Sequence, residues 1–207
     1  MIIMTNRPPV SREYKNGHLV FVYYHGGEIT PYITVDGVSK TIDVVDINYG
    51  LIVLHIPCSE FQTGSRVLVE LKESTTVMAS YTINITKTSH PSYKTLAWIN
   101  EKGGIDTYTF FADARSDITT EKDTIYTSSG LQTIKSTSDT EYSFYSDAET
   151  QAVRLWLSEL VNSPRVWRLD TMTLVDIISH ELRVISPDME QMQITFRDAK
   201  RKTTQTL

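Results

Sequence analysis

At 207 residues, with 40% hydrophobic and 22% charged side chains, the chain can form one large domain or two small ones and can bury a core without metal or disulfide support. A formal charge of −5 argues against wholesale nucleic-acid binding, which collects Lys and Arg against phosphate. The single cysteine, Cys58, excludes an internal disulfide framework and a multi-cysteine zinc site, and it suits a reducing cytoplasm.

No stretch approaches the ~20 apolar residues that cross a bilayer, and Met1-Ile2-Ile3-Met4-Thr5-Asn6-Arg7 lacks the order of a signal peptide. The expectation is a chain of cytoplasmic origin with no membrane partner. Residues 18 to 85 then read as short strands rich in β-branched and aromatic residues: His18–Tyr24, Ile29–Val35, Lys40–Ile47, Leu51–Ile56, Arg66–Leu71 and Val77–Ile85. Turn chemistry separates them at Gly26-Gly27, Asp36-Gly37, Asn48-Tyr49-Gly50 and Gly64-Ser65, the Asp-Gly pair being the strongest hairpin signal. Tyr81, Ile83 and Ile85 alternate with Thr82, Asn84 and Thr86, the pattern of a strand with one buried face. The expectation for residues 1–88 is a β-sandwich-like domain.

The polar, Pro-containing run Thr86 to Lys94 reads as a connection between domains. Beyond it, residues 89–199 read as a second, β-rich or α+β domain. Gly103-Gly104 precedes an alternating strand, Thr107 to Phe111, and has the look of a structural joint. A polar loop is expected over Asp113–Thr120, followed by strands at Thr124–Thr127, Leu131–Lys135 and Glu141–Tyr145. Ser146-Asp147-Ala148-Glu149 forms a capping-box pattern before Ala152, Val153, Trp156, Leu157, Leu160 and Val161, so one amphipathic helix is expected over 147–162, ended by Asn162-Ser163-Pro164. Strands follow at Val166–Leu169, Thr173–Ile178, Leu182–Ile185 and Gln193–Phe196. Residues 200–207 read as a flexible basic and polar tail. The overall expectation is a mainly β protein with one packed helix.

Catalytic chemistry finds little purchase. His18, His25, His55, His90 and His180 are scattered singly, without the spacing that sets two metal ligands on one face. His180-Glu181 reads as a turn. There is no Gly-x-Ser-x-Gly elbow or phosphate loop, and Gly103-Gly104 lacks the third glycine of a dinucleotide site. Asp43 with Asp46, and Asp113 with Asp117, read as solvated loop charges rather than as acid and base. No cofactor, metal or catalytic residue is expected. The aromatic set Trp98, Tyr108, Phe110, Phe111, Tyr142, Phe144, Tyr145 and Trp156 reads chiefly as core, whereas Trp167, after a proline, equally suits a subunit seam. Arg197, Lys200, Arg201 and Lys202 make one end basic in an otherwise acidic chain, a charge asymmetry that can steer head-to-tail assembly.

Leu96-Ala97-Trp98-Ile99-Asn100, then Gly103-Gly104, then Tyr108-Thr109-Phe110, followed by a helix and Ser163-Pro164-Arg165-Val166-Trp167, resembles structural proteins of tailed phages of Bacteroides-type gut bacteria, including crAss-like phages. The resemblance spans roughly residues 90 to 200. It implies a non-enzymatic virion subunit, a homo-oligomeric ring in the neck or tail assembled in the host cytoplasm. Its partners would be copies of itself and neighbouring tail, portal or ring proteins, and nucleic acid would only pass through a central channel. Trp98, Gly103, Gly104, Trp167, Arg197, Lys200, Arg201 and Lys202 are the candidate interface residues. The competing expectation is a monomeric β-sandwich module that binds a glycan or a cell-surface partner.

Overall fold

The computed structural model describes residues 2–24, 29–40, 45–47, 51–73, 75–87, 92–178, 188–199 and 202–205. Among them the chain is mainly β with one helix, as its patterning leads one to expect. The strands of the first half are β1 (Ile2–Ile3), β2 (Val10–Tyr14), β3 (His18–Tyr24), β4 (Ile29–Val35), β5 (Val38–Lys40), β6 (Val45–Ile47), β7 (Leu51–Pro57), β8 (Arg66–Glu73) and β9 (Thr76–Thr86). They form a four-stranded sheet in the order β1-β3-β7-β6 and a five-stranded sheet in the order β2-β9-β8-β4-β5. Both sheets feed one hydrophobic cluster. Leu19, Phe21, Leu54 and Ile56 come from the first, and Ile33, Val67, Val69, Leu71, Ile83 and Ile85 from the second. Cys58 lies inside this cluster, and burial raises its thiol pKa beyond reach of neutral pH.

The β4–β5 turn is the Asp36-Gly37 pair, with φ of 49° and 86°, and it sets Val35 opposite Val38. Two positive φ angles are what a tight hairpin needs, and Asp-Gly supplies them with little strain. Of the expected strand Lys40–Ile47, Lys40 ends β5 in one sheet and Val45–Ile47 form β6 in the other, and residues 41–44 lie outside the described set. The turns at Gly26-Gly27 and Asn48-Tyr49-Gly50, and the boundary at residues 88–91, also lie outside it.

The second half contains β10 (Tyr93–Ile99), β11 (Ile105–Thr127), β12 (Gly130–Glu149), α1 (Gln151–Asn162), β13 (Val166–Arg168), β14 (Thr173–Ile177), β15 (Glu190–Asp198) and β16 (Lys202–Gln205). Hydrogen bonding runs β11-β10-β13-β14-β15-β12-β16, and β11 also pairs with β12. That last pairing closes six strands into a circuit. Its core holds Leu96, Trp98, Phe110, Phe144, Ile194 and Phe196 from the strands and Val153, Trp156, Leu157 and Leu160 from α1.

Several expectations change here. The helix begins at Gln151, not at residue 147: Thr150 is the N-cap and its side chain accepts from the Val153 amide. Ser146 to Glu149 instead finish β12, with Ala148 opposite Gln191 and Glu149 opposite Glu190, while Ser146 Oγ accepts from the Met192 amide at 2.8 Å. A capping-box pattern lost to a ladder that satisfies more backbone groups. Ala152, assigned to the apolar stripe, is exposed, and Arg154 is buried beside the stripe, its guanidinium 2.6 Å from Glu190. Asp113–Thr120 is no loop but part of the 23-residue β11, irregular between Ala112 and Ser116. The tail is not wholly free, since Lys202–Gln205 pairs with Lys135–Ser138. Leu182–Ile185 and His180-Glu181 lie outside the described residues.

Candidate assembly surface

The two halves are joined by a buried polar seam built from the segment Met4 to Tyr14. Asp106, wholly buried in β11, accepts hydrogen bonds from Thr5 Oγ1, from the Asn6 amide at 3.1 Å and from Trp156 Nε1 at 2.8 Å. Arg7 donates to the Thr107 carbonyl and to Ser11 Oγ, sits 4.7 Å over the Trp156 ring, and lies 4.0 Å from Glu13. Arg12 reaches Glu149 at 2.7 Å and the Ala148 carbonyl at 2.6 Å, and Tyr108 donates its hydroxyl to the same Glu149 at 2.6 Å. Tyr14 donates to Asp147.

Burial is the main reason that the Glu13 carboxyl is pushed up to about 7, with the Arg7 charge pulling the other way. Burial also raises Glu149, against hydrogen bonds from Tyr108 and Arg12. Each carboxylate of the seam therefore has partners from across the joint. Asp106, Glu13 and Glu149 are buried and Asp147 half-buried, and carboxylates bonded across the joint in this way hold the two halves in one geometry.

The Gly-Gly pair belongs to this joint. Gly103 has φ of 79°, and a Cβ on Gly104 would stand 2.1 Å from the Met4 carbonyl oxygen, so the N-terminal backbone passes where any side chain would be. Asn100 fastens the turn by accepting from the amides of Lys102 and Gly104 and donating to the Met4 carbonyl at 2.6 Å. Both glycines thus serve a contact within the chain.

The other candidates scatter. Trp98 is fully buried in the second core, tilted against Trp156 at 5.2 Å between ring centres, and does not belong to a surface. Arg197 spends its charge on Asp176 at 2.8 Å and on Asp139 at 3.7 Å. Lys200 and Arg201 lie outside the described residues, and Lys202 is placed only by its backbone in β16. Trp167 is half-buried and lines an apolar pocket of about 440 Å³ between the halves. Val20 and Val53 line it from the first half of the chain, and Ala97, Ile105, Trp167, Leu169 and Met172 from the second. His55 and Thr107 are its polar linings.

Two features were not visible in the residue pattern. His18 and His55, single in sequence, stack 5.1 Å apart beside this pocket with ring nitrogens 3.0 Å apart, and burial followed by the neighbouring ring lowers the His18 pKa. Antiparallel registry does this, because β3 pairs with β7. Even so, no group of three or more His, Cys, Asp or Glu that could hold a metal exists among the described residues. Nor, among them, is any helix long and apolar enough to cross a membrane.

The larger feature is an arm. Beyond Asp117 and Glu141, among the described residues, β11 and β12 pair only with each other and, over Lys135–Ser138, with β16. They turn at Ser128-Ser129 before Gly130, whose φ is 105°. From Ile118 to Lys135 every residue except Thr127 is exposed. Both faces of the ribbon meet solvent, yet it displays Ile118, Ile125, Tyr126, Leu131 and Ile134, with Tyr126 at 87% exposure. A bare two-stranded ribbon is marginal in water, and the apolar tip of this one is exposed. Compared with known proteins, the chain matches no family model, no curated protein and no solved structure.

Proposed function

We propose that this chain is a non-catalytic structural subunit that assembles with copies of itself, in the setting its sequence resemblance implies: a ring in the neck or tail of a tailed phage. The observation that carries this reading is the arm, a ribbon with both faces exposed, apolar at its end and anchored in a closed, well-packed body. The buried seam supports it too, because a rigid joint transmits the position of the arm to the body that must meet a neighbour. Edge strands and apolar tips gain main-chain hydrogen bonds and buried area only when a second chain arrives.

Light scattering coupled to size exclusion tests the reading across a protein concentration series. Discrete higher oligomers that grow with concentration are expected. A strict monomer at every concentration contradicts self-assembly, and glycan and cell-surface binding screens then address the single-module alternative.

A further inference from the structure

We propose that the arm tip of one copy, Tyr126 with Leu131, seats in the apolar pocket between the halves of the next copy. The inference rests on the assembly reading above and deepens it by naming the contact. Tyr126 and Leu131 face each other directly across the β11–β12 ladder, so they present one apolar knob on one face of the ribbon. The pocket is apolar but for His55 and Thr107, and Met172, one of its lining residues, is 72% exposed. A phenol ring, apolar in body with one hydroxyl, matches such a lining.

The occupant has to come from another copy. Thr107 lines the pocket and Tyr126 lies nineteen positions further along the same strand, a separation of roughly 60 Å at the extended rise per residue. The tip cannot return to its own pocket while the ladder stands. One knob and one pocket per chain, on different surfaces, make a heterologous contact, which closes as a ring or continues as a filament. The pocket is bordered by β3, β7, β10, β11 and β13, so a seated tip would touch both halves at once and favour the joined geometry.

Site-directed cross-linking tests the contact without altering knob or pocket. Ser129→Cys places a thiol at the exposed turn of the arm, and Thr171→Cys places one on the exposed chain next to Met172. Cys58 is buried and remains in both chains. Mixing the two variants with a short bis-maleimide is expected to give a covalent dimer that neither variant gives alone, and its loss is expected when the arm-labelled chain also carries Tyr126→Ser and Leu131→Ser. A wild-type chain that scatters as an oligomer while the mixture gives no dimer overturns this contact and leaves assembly standing. A dimer that persists with the erased tip overturns it equally, and a monomeric wild type with no dimer overturns both readings.

Discussion

Glu13 is the residue at which burial and charge compete most directly. Its carboxyl is raised to about 7, so the folded chain holds the proton to higher pH than the unfolded chain does. The stability this group contributes is complete below about pH 4.5 and is lost as pH rises through about 7. Burial and the nearby ring lower the pKa of His18, which acts in the opposite direction, so the informative quantity is a difference between chains. Glu13→Gln keeps the neutral shape, and the variant should gain on wild type by on the order of 1–3 kcal/mol between pH 5 and pH 8. Denaturant melts at the two pH values measure this, and parallel profiles would count against the buried seam. Trp156→Phe removes the indole donor to the buried Asp106 and should cost about 1–3 kcal/mol by leaving that carboxylate short of a partner. Gly104→Ala forces a methyl against the Met4 carbonyl, and a similar loss of about 1–3 kcal/mol in thermal or denaturant melts is expected from overpacking. The joint was legible as a Gly-Gly pair before a strand, but what it joins was not, because Met4 is 100 positions away from Gly104 in the chain. The seam's charges were invisible for the same reason: Arg7, Glu13, Asp106 and Glu149 carry no local pattern, and only tertiary contact makes them partners.

At the scale of elements, local periodicity was a good guide where one face is buried. β3 and β4 fall on the expected residues, and β8, β9 and β15 are the expected strands extended by a few residues. It failed where a competing partner took the backbone. Ser146 to Glu149 look like a helix start, yet β15 pairs with Ala148 and Glu149 and its Met192 amide donates to Ser146 Oγ, and Thr150 caps α1 instead. Thr150→Ala should therefore lower stability by about 1 kcal/mol, read as a drop in melting temperature, whereas a Ser146 substitution should act through the lost Met192 amide bond. In the arm, the strands expected at Thr124–Thr127 and Leu131–Lys135 fall within β11 and β12, and only Asp113–Thr120 was misread, as a loop. That segment is rich in Asp, Ser and Thr and has no hydrophobic alternation to reveal a strand; long-range pairing with β12 makes it one. Replacing Thr124 to Ile134 by Asn-Gly shortens the arm while keeping the Lys135–Ser138 pairing with β16. Because the removed residues touch solvent on both faces, the shortened chain should melt within a few degrees of wild type. A large loss of stability would mean that the arm packs on its own body.

At the scale of the whole molecule, two hydrophobic cores are tied by a seam of buried ions and hydrogen bonds, and a long ribbon projects from the closed circuit of strands. The mainly β character and the packed helix could be read from composition and spacing. The closure of the six strands could not, since it depends on β11 pairing with both β10 and β12, a long-range registry. The division of labour between body and arm follows from that registry, and it gives the proposed assembly a physical basis: a rigid platform, an apolar projection and an apolar recess. The most direct measurement is electron microscopy of the negatively stained chain at high concentration beside the arm-shortened chain. Rings or short stacks from the full chain and single particles from the shortened one are expected. Single particles from both, or unchanged assemblies after shortening, would contradict a subunit that assembles through its arm.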